Sequence, residues 1–217
     1  MTDPMSRRDQ VVAAIRQLVE TGLTSGSSGN VSVRADGGML VTPTGLPPAA
    51  LEPSDIVAMA LDGEVAENQL RPSSEWHIHA DIYRAKPEVN AVVHCHSPYA
   101  TILACAHRSI PAQHYMIAAA GCDEIPLAPY ATFGTEALSS HAIAALENAK
   151  ACLLANHGQV ATGATLEGAL SLAALVEELA HWHWGALAIG GPVLLSEQQM
   201  ADVKNAFATY GQQDTRD

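Results

Sequence analysis

The stretch Asn90-Ala-Val-Val-His-Cys-His96 carries the strongest structural and chemical signal in the sequence. Its β-branched and apolar residues predict a strand over residues 90–96. Successive side chains of a strand point to opposite faces, so His94 and His96 are expected to share one face. Two imidazoles on one face make a good half-site for zinc, which prefers nitrogen or sulfur ligands. Alone, such a pair is more often a solvated strand end, so a metal site needs further ligands.

Two other His-x-His pairs occur, at His77/His79 and at His181/His183. Both lie in segments whose apolar spacing predicts helices. Residues two positions apart on a helix point to nearly opposite sides, so neither pair is expected to chelate one ion. We interpret these four histidines as surface or interface residues.

Two further residues complete a candidate metal site. His157 stands after a predicted strand and before Gly158, which allows the chain to turn sharply. Glu75 stands in the first turn of a predicted helix. A catalytic zinc keeps three protein ligands and one open position, so three histidines with a displaceable carboxylate satisfy its needs. The spacing permits these residues to converge on His94 and His96 but does not require it.

The composition limits the class of protein. A chain of 217 residues can bury one substantial core, and we expect a single domain over residues 1–217. A formal net charge of −12 with only 11 Lys and Arg argues against a nucleic-acid surface. No apolar run reaches the ~20 residues of a membrane helix, and no signal peptide is evident, so we expect a cytoplasmic protein. The 4 cysteines include no Cys-x-x-Cys pair and are expected to be buried free thiols.

Hydrophobic periodicity and turn residues predict an α/β order of elements. Helices are predicted at residues 8–21, 73–86, 136–147, 165–188 and 197–210. Strands are predicted at residues 31–34, 39–42, 56–61, 64–67, 90–96, 151–155 and 159–161. Turns at Gly37-Gly38 and Asp62-Gly63 indicate two hairpins. This order favours a sheet with helices on both faces over a regular βα series.

Several stretches together resemble the class II aldolase/adducin family, in the family's order and over nearly the whole chain. They are Ser25-Gly-Ser-Ser-Gly-Asn-Val-Ser-Val-Arg34, Val41-Thr-Pro-Thr-Gly45, Pro72-Ser-Ser-Glu-Trp76, Val92-Val-His-Cys-His-Ser97, Ile110-Pro-Ala-Gln-His-Tyr-Met-Ile-Ala-Ala-Ala-Gly121, Ala128-Pro-Tyr-Ala-Thr-Phe-Gly134 and Asn156-His157-Gly158. The stretches at 110–121 and 128–134 are similar to the aldolase branch of the family and not to its ribulose-phosphate epimerase branch.

The resemblance implies a fold, an assembly and a metal site. The implied fold is a three-layer α/β/α sandwich around a mixed, mostly antiparallel sheet. The implied assembly is a homotetramer with C4 symmetry and active sites at the subunit interfaces. One Zn²⁺ per subunit is implied, with His94, His96 and His157 as ligands. Glu75 is implied as a ligand in the resting state and as the acid/base when substrate displaces it.

The resemblance also implies how substrate is bound. The residues implied around its phosphate are Ser27, Gly29, Asn30, Thr44, Gly45, Ser73 and Ser74. Ser73 and Ser74 at a helix N-terminus would offer hydroxyls, free N–H groups and the positive end of the helix dipole. Tyr115, from a neighbouring subunit, is implied as proton donor to the aldehyde oxygen. Tyr210, in the C-terminal tail, is implied to close over the site.

The activity that the resemblance implies is reversible cleavage of a ketose 1-phosphate, L-fuculose 1-phosphate or a close relative. The products would be dihydroxyacetone phosphate and a short aldehyde such as L-lactaldehyde, through a metal-stabilised enediolate. Methylthioribulose-1-phosphate dehydratase and ribulose-5-phosphate 4-epimerase share the fold and the metal ligands and remain alternatives. A non-enzymatic module like the adducin head is disfavoured because it lacks the histidines. A lysine-based aldolase is disfavoured because that fold needs a regular βα series.

Overall fold

A computed structural model describes residues 6–207 of the chain. The α-helices are α1 (Arg7–Glu20), α2 (Trp76–Ala85), α3 (Pro98–Cys105), α4 (Glu136–Ala145), α5 (Leu166–Ala188) and α6 (Glu197–Phe207). The strands are β1 (Asn30–Ala35), β2 (Gly38–Val41), β3 (Val57–Ala60), β4 (Ala91–Cys95), β5 (Leu127–Ala128), β6 (Ala151–Leu154) and β7 (Gly158–Gly163). Short 3-10 helices are at Pro48–Ala50, Pro53–Asp55 and Tyr115–Ala120.

The strands form one mixed sheet in the order β3-β2-β1-β4-β7-β6-β5. Neighbouring strands are antiparallel, except that β5 and β6 are parallel. Strand β4 therefore lies in the middle of the sheet, between β1 and β7. Its register places His94 opposite Asn30 of β1 and opposite Val160 of β7.

Alternating side chains divide the core into two layers, one on each face of the sheet. Val31 and Val93 belong to the cluster that packs against α1, α3 and α5. Val92, Cys152 and Val160 belong to the cluster that packs against α2 and α4. Because strand side chains alternate between the two faces, one sheet supports both clusters. The predicted α/β/α sandwich with a mostly antiparallel sheet is confirmed.

The predicted strand at residues 64–67 is wrong. Within residues 64–67 the structure has no strand, only an isolated bridge between Val65 and Met59 of β3. The side chain of Gln69 occupies the edge instead: its Oε1 accepts from the Ala58 amide at 2.7 Å and its Nε2 donates to the Ala58 carbonyl at 3.0 Å. A side-chain amide that pairs with an edge strand in this way removes the hydrogen bonds that another strand would use.

Two histidines that the sequence suggested to be surface or interface residues are buried. His79 of α2 has no exposed surface and His183 of α5 is 4% exposed. His183 Nδ1 lies 2.6 Å from Gln113 Oε1, and His79 contacts polar groups of β1. A buried imidazole needs such hydrogen-bond partners, and the sequence of a helix face does not reveal partners that come from other elements.

None of the helices within residues 6–207 is long and apolar enough to cross a bilayer.

Candidate metal centre and substrate cavity

His94 is held rigidly in the central strand. Its side chain has no exposed surface, and its Nδ1 lies 2.9 Å from the carbonyl oxygen of Gln159 on β7. A carbonyl can only accept, so Nδ1 carries a proton, and Nε2 is the nitrogen that can offer a lone pair to a metal ion when the ring is neutral. A second partner of this kind fixes both the tautomer and the ring orientation of a metal-ligating histidine.

His96 and His157 approach His94 from the end of β4 and from the β6–β7 turn. His96 Nε2 lies 3.1 Å from His94 Nε2, and the ring of His157 has its centroid 4.8 Å from that of His94. Gly158 allows this approach. A Cβ atom at this position would lie 2.5 Å from the Cys95 carbonyl oxygen and 2.8 Å from His96 Cδ2.

Glu75 completes the cluster from the N-cap position of α2. The residue is 6% exposed; its Oε2 lies 3.2 Å from His94 Nε2 and its Oε1 lies 3.2 Å from His157 Nε2. Asn30 donates from Nδ2 to Oε2 at 2.9 Å. Oε1 accepts no hydrogen bond from any residue in the range 6–207, although it is buried.

This donor set fits a divalent metal ion. The ligand nitrogens of His94, His96 and His157 all lie within 4.8 Å of one another. Four ligands of a tetrahedral zinc stand about 3.3 Å apart, given Zn–N distances of about 2.0–2.1 Å. Burying a carboxylate oxygen without a hydrogen bond costs free energy, which a coordinated cation would offset.

The electrostatics also suit ligation. Burial, followed by the charge of His94, lowers the pKa values of His96 and His157 to about 4 each, so both rings are neutral at pH 7. For Glu75, burial alone would raise the pKa, but the charge and hydrogen bond of His94 outweigh burial and hold the pKa well below its usual range. Burial alone would lower the pKa of His94, but Glu75 outweighs it and raises that pKa. The cluster therefore offers an ionised carboxylate, two neutral imidazoles and a third imidazole that must give up a proton to bind a cation.

A cavity of about 340 Å³ opens beside this cluster. Every residue assigned by resemblance to the phosphate lines it, and the full lining is Ser27, Ser28, Gly29, Asn30, Pro43, Thr44, Gly45, Ser73, Ser74, Glu75, His96, Tyr130, Ala131, Phe133, Asn156 and His157. Hydroxyls and backbone groups dominate one wall, and no Lys or Arg is among these lining residues. Gly29 and Gly45 have φ values of +80° and +76°, which glycine adopts at least cost.

The wall before α2 differs from the sequence prediction. Helix α2 begins at Trp76, so Ser73 and Ser74 form the turn that precedes it. The Ser73 amide donates to the Thr42 carbonyl at 2.9 Å and is not free. The chain turns here because Ser73 Oγ accepts from the Glu75 amide, which places Glu75 at the cap. Hydroxyls are therefore the main donors that Ser73 can offer to a ligand.

The two tyrosines assigned by resemblance lie elsewhere. Tyr115 begins the 3-10 helix Tyr115–Ala120, is 48% exposed, and does not line the cavity of its own chain. Tyr210 lies outside the described residues. The rings of Tyr130 and Phe133 do line the cavity, and no role was predicted for them. Both residues belong to the stretch Ala128-Pro-Tyr-Ala-Thr-Phe-Gly134, one of the stretches on which the family resemblance rests. No local pattern reveals that this stretch lies at the cavity.

Comparisons with known proteins agree with this geometry. Residues 9–184 match the family model described as class II aldolase and adducin N-terminal domain. The 5-methylthioribulose-1-phosphate/5-deoxyribulose-1-phosphate aldolase of Rhodospirillum rubrum is 50% identical over 94% of this chain and 92% of its own. The L-fuculose phosphate aldolase of Escherichia coli K12 is 49% identical over 93% and 94%. A solved L-fuculose 1-phosphate aldolase superposes with a TM-score of 0.89 at 38% identity, over 93% of this chain and 96% of that one.

Substituting Gly158→Ala tests how the site is built. The added methyl group would overlap the Cys95 carbonyl, so the turn that carries His157 must move. We expect about 1–3 kcal/mol of destabilisation and a loss of bound metal, measured by urea unfolding and by elemental analysis. Gly185→Ala is the matched control, because a Cβ there meets no atom within 4 Å. Full metal content in Gly158→Ala would show that the close approach is unnecessary.

Proposed function

Because the chain belongs to the class II aldolase and adducin family, we propose that it is a zinc enzyme that reversibly cleaves a ketose 1-phosphate to dihydroxyacetone phosphate and a short aldehyde. The family and its relatives make the chain a metal-dependent aldolase, a carbon–carbon lyase. The identity of the metal, the substrate and the roles of individual residues belong to the proposal.

One observation carries this proposal: a three-histidine and carboxylate cluster shares a cavity with a wall of hydroxyl donors. The first suits a divalent cation, and the second suits a phosphate. We assign zinc to His94, His96 and His157, with Glu75 as its ligand in the resting state. When bound there, zinc supplies Lewis-acid polarisation of the substrate ketone.

The wall of donors is assigned to the phosphate of the substrate. Its proposed ligands are Ser27, Gly29, Asn30, Thr44, Gly45, Ser73 and Ser74, all of which line the cavity. With a net charge of −12, the chain repels an anion at long range. Hydroxyl groups and backbone N–H groups near glycine can nevertheless hold a phosphate through short-range hydrogen bonds.

Proton transfer is assigned to two residues. In the condensation direction, Glu75 removes a proton from the carbon of dihydroxyacetone phosphate that becomes the nucleophile. Tyr115 of a neighbouring subunit donates a proton to the aldehyde oxygen as the carbon–carbon bond forms, and cleavage reverses both transfers. General acid–base catalysis of this kind contributes typically 10²–10⁴-fold. Tyr210, beyond the described residues, is assigned to closing the site.

The assignment of Tyr115 depends on an assembly. Tyr115 is 48% exposed, and its ring lies 4.7 Å from that of His114, which lies 4.7 Å from the ring of exposed Trp182; this is an aromatic surface that a second subunit would cover. The surface supports an assembly with sites at its interfaces, for which we propose the homotetramer of C4 symmetry that the family resemblance implies. The cysteines at positions 95, 105, 122 and 152 are free, which suits the reducing cytoplasm, where we place the enzyme; contrary to expectation, Cys105 is exposed and Cys122 only half-buried.

Two substrate classes fit the comparisons. L-fuculose 1-phosphate would release L-lactaldehyde, and it is favoured by the relatives named for it. The relative from Rhodospirillum rubrum favours 5-methylthioribulose 1-phosphate or 5-deoxyribulose 1-phosphate as a second candidate. The rings of Tyr130 and Phe133 at the cavity are compatible with an aldehyde that ends in an apolar group. Dihydroxyacetone phosphate is the common product.

A coupled assay tests the proposed function. Purified protein is offered L-fuculose 1-phosphate, 5-deoxyribulose 1-phosphate, 5-methylthioribulose 1-phosphate and ribulose 5-phosphate. Release of dihydroxyacetone phosphate is followed with a reporter dehydrogenase. We expect release from at least one ketose 1-phosphate, its loss with a chelator, and its return with Zn²⁺. Loss of water or formation of an epimer without triose release would identify the dehydratase or the epimerase instead.

Glu75→Gln separates metal binding from proton transfer. The amide can no longer take a proton, but the three histidines remain, so we expect retained zinc and turnover lower by about 10²–10⁴-fold. His94→Ala should lose both zinc and turnover, because it removes a ligand from the centre of the cluster. Zinc per chain and kcat are measured on both variants. Parental turnover in Glu75→Gln would place the acid/base elsewhere.

A further inference from the structure

A buried row of polar side chains connects Glu75 to the far end of α2. Three residues of α2 and its cap, Glu75, His79 and Tyr83, recur every fourth position, and two residues of β1, Asn30 and Ser32, recur every second. Four helical residues rise about 6.0 Å and two strand residues about 6.6 Å, so the two repeats stay matched along their length. All five are buried, with exposed fractions of 6% or less. We call this row the α2–β1 polar seam.

The hydrogen bonds of the seam are continuous. Asn30 Nδ2 lies 2.9 Å from Glu75 Oε2, and Asn30 Oδ1 lies 2.5 Å from His79 Nε2. His79 Nδ1 lies 2.6 Å from Ser32 Oγ, which in turn lies 2.7 Å from the hydroxyl of Tyr83. Every link from Glu75 to Tyr83 is therefore within hydrogen-bond distance.

Chemistry fixes the direction of every bond in the seam. An ionised carboxylate only accepts, so Asn30 turns its amide NH₂ group towards Glu75 and its carbonyl towards His79. His79 must then donate from Nε2, which makes Nδ1 the acceptor of the Ser32 hydroxyl proton. Ser32 Oγ is left to accept from Tyr83. Burial lowers the pKa of His79 to about 3, in keeping with a neutral ring that has a single N–H.

The far end of the seam is anchored by Arg34, the next β1 residue in the two-residue repeat. Its guanidinium carbon lies 4.8 Å from the centre of the Tyr83 ring, and its Nη2 donates to the carbonyl oxygen of Tyr83 at 2.8 Å. Nη2 also donates to the Lys86 carbonyl at 3.1 Å, and Nε donates to the Val89 carbonyl at 3.0 Å, both beyond the last turn of α2. Both ends of α2 are therefore tied to β1, and the helix cannot slide without breaking these bonds.

We propose that His79 is a positioning residue for Glu75. Its Nε2–H holds the Asn30 amide, and that amide holds Oε2 of Glu75, which leaves Oε1 available for the substrate proton. Oε1 is the oxygen that accepts no hydrogen bond within residues 6–207. The inference rests on the proposed function, because it assigns the held carboxylate to proton transfer. His79 does not line the cavity and is not one of the three histidines that could hold the metal.

Two isosteric variants separate the roles of the two ring nitrogens. In His79→Gln, the NH₂ group of the longer side-chain amide can replace Nε2–H towards Asn30. In His79→Asn, the shorter side chain can place an amide group where Nδ1 was, near Ser32, but it cannot reach the position of Nε2. Asn30 is then left without its donor. Each variant loses one side of the imidazole, so a purely structural role for His79 predicts similar losses of stability and activity in both.

The first readout is exchange with D₂O of the C–H proton on the hydroxymethyl carbon of dihydroxyacetone phosphate, the carbon that becomes the nucleophile. The exchange is followed by NMR with zinc-loaded full-length protein. We expect kcat for exchange within about 5-fold of the parent in His79→Gln and about 10–100-fold lower in His79→Asn, the usual range for a residue behind a ligand. KM for dihydroxyacetone phosphate should change by less than about 2-fold, because six of the seven proposed phosphate ligands are untouched and the side chain of the seventh, Asn30, is engaged by Glu75 and His79. Equal exchange in the two variants, or parental exchange in His79→Asn, would overturn the proposal.

The second readout needs neither activity nor a variant that folds. Long-range ¹H–¹⁵N spectra of the parent protein, with and without Zn²⁺, report the tautomer of His79. A proton on Nε2 supports the proposal, and a proton on Nδ1 or a doubly protonated ring contradicts it. Absence of exchange in the parent would refute the proposed aldolase function, whereas exchange in the parent with an Nδ1–H tautomer would refute the positioning role alone.

Discussion

The antiparallel pairing of β4 with β1 and β7 is the constraint on which the candidate site depends. It places Asn30, His94 and Val160 side by side, and it brings the Gln159 carbonyl to His94 Nδ1. A slip of one residue would turn His94 to the opposite face of the sheet, since strand side chains alternate. The close approach of Gly158 to the Cys95 carbonyl then fixes where the β6–β7 turn lies, and with it His157.

The site meets an electrostatic problem that the whole chain creates. Under the proposed function, a protein with a net charge of −12 binds a phosphate in a cavity whose lining within residues 6–207 contains no Lys or Arg. Hydroxyls and backbone donors act only at short range, so they would select a ligand that already fits. The ionised Glu75 tolerates burial because His94, His157 and Asn30 surround it.

Much of this could be predicted from the sequence, because local patterns determine it. Alternation identified β4 and set His94 and His96 on one face. Local position made His157 and Glu75 candidate ligands, the family resemblance implied their roles, and the structure brings all four together. The non-local features escaped prediction. Gln69 takes the edge that residues 64–67 were expected to fill, and His79 is buried by a strand far away in sequence. The repeats Glu75/His79/Tyr83 and Asn30/Ser32/Arg34 can be read in the sequence. Only the structure shows that they lie side by side and form hydrogen bonds with each other. The single domain over residues 1–217 and the roles of the site residues stay predictions.

Anomalous diffraction at the zinc edge, from crystals of the zinc-loaded protein, shows directly whether the three histidines hold the metal. We expect one strong peak per chain, about 2.0–2.2 Å from the Nε2 atoms of His94, His96 and His157. A peak at another cluster, such as the exposed His181 region, would contradict it. So would an empty three-histidine site in a protein that retains full aldolase activity.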